Sequence, residues 1–179
     1  MGGKIALLAG AWHPHRVQSL VVADATPDVS GEGLAQMRRI GARPLRRFVS
    51  RRLAAHAFRL IPPETVVGQA RLGELATRST RHRGHGRWSI GPDREFLARI
   101  NPKVAWPLLP RIRCPTLILR AEHSSILSRR AAQAMQQAIP RSSICEIPGT
   151  CHHLILERPG EVAKTVRDFL RKYALDGGE

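Results

Sequence analysis

Two largely apolar runs of strand length, VQSLVVA at 17–23 and TLILR at 116–120, each sit beside a helical pattern. This alternation constrains the fold more than any other feature of the chain. From 3 to 11 the residues are small and apolar (Ile5, Leu7, Leu8, Ala9, Ala11), the pattern of a buried helix. His13-Pro14 ends it, because proline disfavours helical geometry in the residue before it. The run 17–23 is β-branched and strand-like, and Asp24-Ala25-Thr26-Pro27 is the loop at its C-terminal end. A helix leading directly into a buried strand implies an α/β layer architecture. The same alternation returns after Cys114-Pro115, with a strand at 116–120, a helix at 128–137 N-capped by Ser128, and a short strand at 143–147. A Pro148-Gly149 turn then leads to an amphipathic helix at 159–173. Val162, Val166, Phe169, Leu170 and Tyr173 share one face of that helix at three- and four-residue spacing.

Residues 31–105 differ. They have helical periodicity, many arginines and no convincing strand, and Pro44, Pro62 and Pro63 divide them into helical segments near 33–41, 44–60 and 63–79. The stretch Arg81-His82-Arg83-Gly84-His85-Gly86-Arg87 is expected to be a polar loop. The chain is therefore expected to divide at 1–30, 31–105 and 106–179, and 179 residues suffice for a real core.

Basic residues number 29 against 14 acidic, a formal charge of +15, and 25 of the 29 are arginine. Such a balance suits a nucleic-acid binder, but the excess is spread along the chain and a coding bias toward arginine produces the same total. Arg39, Arg43, Arg47 and Arg51 recur every four residues, as one stripe on a helix would. The simpler reading is a solvated outer face with Leu45, Phe48, Val49 and Leu53 turned inward. The sharper one is a contact with an anionic ligand, nucleic acid or acidic membrane. No aromatics interleave for base stacking, so the balance is against nucleic acid. No apolar run approaches the length of a membrane span, and no signal-peptide pattern is evident. Three scattered cysteines, Cys114, Cys145 and Cys151, fit a reducing, cytoplasmic setting.

Three stretches carry a family resemblance: MGGKIALLAGAWHPHRVQSLVVAD, LLPRIRCPTLILRAEHSSILS and IPGTCHHLILERPGEVAKTVRDFL. Their order and spacing resemble the C-terminal half of a cap-bearing α/β-hydrolase, with 31–105 as the helical cap. In that family the nucleophile sits in a G-x-S-x-G turn between strand and helix, and the amide after it helps hold the oxyanion. The resemblance places that serine just before Met1, and Met1 at the oxyanion position. A late start codon would explain such a beginning. The resemblance puts His152 at the catalytic histidine, where an imidazole can take and return a proton. The usual acid positions after 116–120 hold Ser124 and Ser125, which cannot stabilise an imidazolium by charge. Asp24, at the end of the preceding strand, is the main substitute, with a capping or turn role as its alternative. Glu122 is the weaker candidate. Cys151, His152, His153 and His123 lack the spacing of a structural zinc site, and Cys151 is expected to be an inert thiol. No cofactor is implied.

Two functions follow. One is hydrolysis of an ester-like or related bond in a small molecule, by a serine hydrolase inactive as this chain for want of its nucleophile. The other is a non-catalytic binding remnant of the same fold, with an Arg-rich cap on an anionic partner. The run 17–23 should be paired on both edges, and the resemblance places its neighbouring strand before Met1. An unpaired apolar edge is a self-association site. The 179-residue chain is expected to self-associate, and a monomer by light scattering that unfolds cooperatively at high temperature would contradict this.

Overall fold

The computed structural model describes residues 2–29, 31–91, 97, 99 and 105–174. The chain forms two compact units, one from Met1–Asp28 with Lys103–Glu179 and the other from Val29–Pro102.

The first unit is a parallel α/β layer structure. Helix α1 (Gly2–Trp12) leads into strand β1 (Leu20–Ala23). After the second unit, a 3-10 helix (Trp106–Arg111) precedes β4 (Thr116–Ala121). Helix α5 (Arg129–Ala138), β5 (Ser142–Ile147), the short α6 (Leu154–Glu157) and α7 (Pro159–Ala174) complete it. The strands run parallel in the order β1-β4-β5, with Leu20 opposite Thr116 and Ala121 opposite Ile147. Among the described residues no strand pairs with the outer edge of β1.

Strand alternation divides the core between the two faces of the sheet. Leu20, Val22 and Ile118 join Leu7, Leu109, Ile112, Met135 and Ile139 on the face covered by α1, the 3-10 helix and α5. Leu117, Leu119, Ala121 and Ile147 join Leu154, Val162 and Phe169 on the other. Covered on both faces, β4 is buried along its whole length, the usual condition of a central parallel strand. Ser128 caps α5 as its position suggests, its hydroxyl accepting from the Ala131 amide at 3.1 Å. On α7, Val162 and Phe169 are buried and Val166 and Tyr173 pack beside them, while Leu170 remains 43% exposed. Gly3 in α1 is set by close approach, since a Cβ there would overlap the Ala25 methyl in the loop after β1.

The second unit departs from the all-helical expectation. Its described residues include helices α2 (Gly31–Gly41), α3 (Arg51–His56) and α4 (Gln69–Arg78). The helical segments expected over 44–60 and 63–79 shrink to these shorter pieces. The expected loop at 81–87 instead forms much of a hairpin, β2 (Thr80–His82) with β3 (Trp88–Ile90). Gly84, His85 and Gly86 all take positive φ, which the two glycines permit at low cost, and the Arg83 amide closes the turn on the Arg87 carbonyl. The arginine stripe is also overturned. Arg39 lies in α2 and Arg51 in α3, while Arg43 and Arg47 lie between them, so no single helix presents all four.

One buried cation braces the first unit. Arg120, 7% exposed, donates from Nε to the Leu127 carbonyl at 2.9 Å, from Nη2 to the Glu122 carbonyl at 3.2 Å, and from Nη1 to the Glu146 carboxylate. Arg129 also binds Glu146, at 2.7 Å. The hydrogen bond from Arg129, joined by Arg120, holds the Glu146 carboxyl below the ordinary carboxylate range. A carboxyl lowered in the folded state adds stability that is complete above its unfolded pKa of about 4.3 and is lost as pH falls through the folded value. Glu146→Gln is therefore expected to lower unfolding free energy by about 1–3 kcal/mol at neutral pH. Urea unfolding should show the variant and the parent converging as pH falls below about 4.3.

Candidate active site

Parallel strands end on one side of their sheet, where ligand sites of open α/β folds gather. Asp24 follows β1, Glu122 follows β4, and Pro148 begins the loop after β5. Asp24 extends the ladder by one bond, its amide donating to the Leu119 carbonyl at 2.7 Å. Its backbone then turns into the left-handed region at φ 45°, which aspartate tolerates better than most residues.

The Asp24 side chain is fully buried, and its carboxylate accepts three hydrogen bonds. Oδ1 takes the Ala121 amide at 3.0 Å. Oδ2 takes the Ser124 hydroxyl at 2.7 Å and lies 2.8 Å from His152 Nδ1. An ionised carboxylate only accepts, so Nδ1 carries the proton of the neutral ring and Nε2 keeps its lone pair. His152 is 27% exposed along its side chain, and Nε2 has no hydrogen-bond partner among the described residues. A neutral imidazole so oriented can accept a proton at Nε2, and the buried carboxylate behind it stabilises the resulting cation.

The other residues singled out from sequence fall in different places. Ser124, at the position usual for the family's acid, instead donates its hydroxyl to the buried Asp24 carboxylate. Its oxygen also accepts from the amides of Ile126 at 3.0 Å and Leu127 at 2.8 Å, closing the loop after β4. Ser125 is exposed. Glu122 does not reach His152; its Oε2 accepts from the Gly149 amide at 2.7 Å and lies 3.7 Å from His123 Nε2. The Cys151 amide donates to Glu157 Oε2 at 2.6 Å, and the His153 ring stands edge-on to His152 with centroids 5.1 Å apart. Burial pushes the Cys114 thiol up, which disfavours the nucleophilic thiolate. Met1 lies outside the described residues. Among the described residues no three His, Cys, Asp or Glu side chains converge as a metal site, and no helix is long and apolar enough to cross a membrane. The parts played by Ser124 and Glu122 had no local sequence signal, because their partners stand 100 and 27 positions away.

The chain belongs to the alpha/beta hydrolase fold family, whose sequence profile matches residues 1–159. Over 59 residues, 32% of this chain and 16% of the relative, it is 41% identical to epoxide hydrolase 3 of Xenopus tropicalis. Among solved structures it is similar to an α/β-hydrolase from Novosphingobium aromaticivorans, at 28% identity and a TM-score of 0.70, covering 94% of this chain and 62% of that one. E-2-(acetamidomethylene)succinate hydrolase has a similar fold, with a TM-score of 0.76 at 20% identity, covering 95% and 63%. A Thermogutta terrifontis esterase gives 0.70 at 24% identity, covering 96% and 62%. The chain thus spans less than two thirds of the length of these hydrolases.

The Ser124 hydroxyl serves a buried carboxylate and two loop amides, so its loss leaves several polar groups short of a partner. Ser124→Ala is expected to destabilise the fold by about 1–3 kcal/mol. Ser125→Ala should stay within about 0.5 kcal/mol of the parent. Equilibrium denaturation of the two variants decides between this and an indifferent loop.

Proposed function

We propose that this chain supplies the acid–base half of a serine hydrolase acting on an ester-like or related bond in a small molecule. The observation that carries the reading is the His152–Asp24 pair, with its carboxylate fully buried, doubly anchored by Ala121 and Ser124, and 2.8 Å from Nδ1. In this reading His152 Nε2 takes the proton of the attacking serine, returns it to the leaving group, and then activates the water that releases the acyl-enzyme. Asp24 holds the tautomer and stabilises the imidazolium. The serine belongs to the G-x-S turn that the resemblance places directly before Met1, and the Met1 amide joins the oxyanion site once a residue precedes it. In this reading residues 31–105 correspond to the family's helical cap. Ester hydrolysis accords with the esterase among the solved structures of similar fold.

The alternative, a binding module for an anionic partner, has one observation in its favour. None of the arginines from Arg38 to Arg87 forms an ion pair among the described residues. A binding role alone, however, gives no reason for a buried carboxylate behind the Nδ1 of a partly exposed histidine.

Activated short-chain esters test the proposal. The 179-residue chain is expected to turn them over no faster than its His152→Ala variant. The same chain extended upstream through a G-x-S turn should be active. In the extended protein Asp24→Asn should cost about three to four orders of magnitude in kcat, while Glu122→Gln stays within about tenfold of the parent. Full activity in Asp24→Asn would overturn the assignment of the acid.

A further inference from the structure

His152 lies in the loop between β5 and α6. Pro148 has no amide hydrogen, and Gly149 takes φ 62°, a left-handed turn open to glycine. The next amides leave the loop and end on carboxylates. Gly149 donates to Glu122 Oε2 at 2.7 Å, and Cys151 donates to Glu157 Oε2 at 2.6 Å. These two bonds hold the segment just before His152, one from the loop after β4 and one from helix α6. Between them the Thr150 carbonyl accepts the His123 amide at 2.9 Å, and the buried Thr150 hydroxyl donates to the Ile147 carbonyl at 2.6 Å.

Glu122 is itself held. Its amide donates to the Ile147 carbonyl at 3.2 Å, and its carbonyl accepts from Arg120 Nη2. Arg120 Nε also binds the Leu127 carbonyl, so one buried guanidinium spans the two ends of the loop that presents Ser124 to Asp24. The loop that fixes the acid and the loop that carries the histidine are thereby joined through the Glu122 carboxylate. Hydrogen bonds to ionised groups are stronger than neutral ones, and a displacement of about 1 Å in a catalytic group can cost about a hundredfold in rate.

We propose that Glu122 and Glu157 are positioning residues, a pair of carboxylates that clamp the Gly149 and Cys151 amides and so hold the His152 ring in register with Asp24. This rests on the reading of His152 and Asp24 as the acid–base pair, and it gives Glu122 a task other than that of the acid. A glutamine at either position keeps an acceptor oxygen, whereas an alanine does not.

NMR on the 179-residue chain tests the clamp without requiring turnover. Glu122→Ala should speed exchange of the Gly149 amide by about tenfold or more, and Glu157→Ala should do the same for Cys151. Both should weaken or abolish the hydrogen-bonded Nδ1–H resonance of His152. Glu122→Gln and Glu157→Gln should retain most of that signal, and unchanged exchange of the Ile118 amide in β4 marks each variant as folded. The proposal is overturned if the alanine variants leave the His152 signal as in the parent, or if the glutamine variants lose it as completely as the alanine ones. Asp24→Asn tests the underlying reading separately. If it leaves the Nδ1–H resonance unchanged, the acid–base pair fails, while protection of the Gly149 and Cys151 amides still reports on the clamp.

Discussion

A carboxylate taken wholly out of water must find hydrogen bonds to offset its lost hydration, and the site depends on how Asp24 does so. Its three donors come from the end of β4, the loop after β4 and the loop after β5. They stand 97, 100 and 128 positions from Asp24, so local chain connectivity does not bring them to it. The carboxylate gathers them because it cannot stay buried and ionised without them. The left-handed backbone at Asp24 belongs to the same constraint. Strain of this kind persists only where the surroundings over-determine the conformation, and it clusters at functional sites.

The scaffold beneath makes this gathering affordable. Both faces of the three-stranded sheet are covered by apolar side chains, so the ladder carries the strand ends to one level with little freedom. Polar groups enter the buried layer only where they are answered. Arg120 is the clearest case, with two carbonyls and a carboxylate around its guanidinium. The described residues leave no buried side-chain nitrogen or oxygen without a partner, as expected of a network in which a half-satisfied member costs more than an apolar one.

The unit formed by Val29–Pro102 obeys different rules. Its described helices are short, and its hairpin strands have three residues each, with Arg81 and His82 in the first. Such strands show no readable alternation. They are held by tertiary contacts: Thr80 and Ser89 are buried, Phe48 bridges to Trp88, and the Arg51 guanidinium bonds Thr80 and lies over the Trp88 ring. A four-residue recurrence of arginine predicts a stripe only if one helix runs through all of it, and here the chain leaves the helix at Gly41 and re-enters at Arg51.

What the sequence determined by itself is the local and periodic part. The runs 17–23 and 116–120, the Ser128 cap and the spacing from Val162 to Tyr173 place the elements of the α/β unit, because strand burial and helix amphipathicity are written in neighbouring residues. The order of three motifs points to the family. What the tertiary structure decided is which polar groups meet. Asp24, Glu122 and a turn aspartate look alike in sequence. Only the pairing of β1 with β4 and of β4 with β5 puts Asp24 against His152, 128 positions away, and Glu122 against Gly149. A hydrogen bond across such a separation follows from strand register and from the demand of a buried charge for partners, and neither quantity is visible within a few residues of either group.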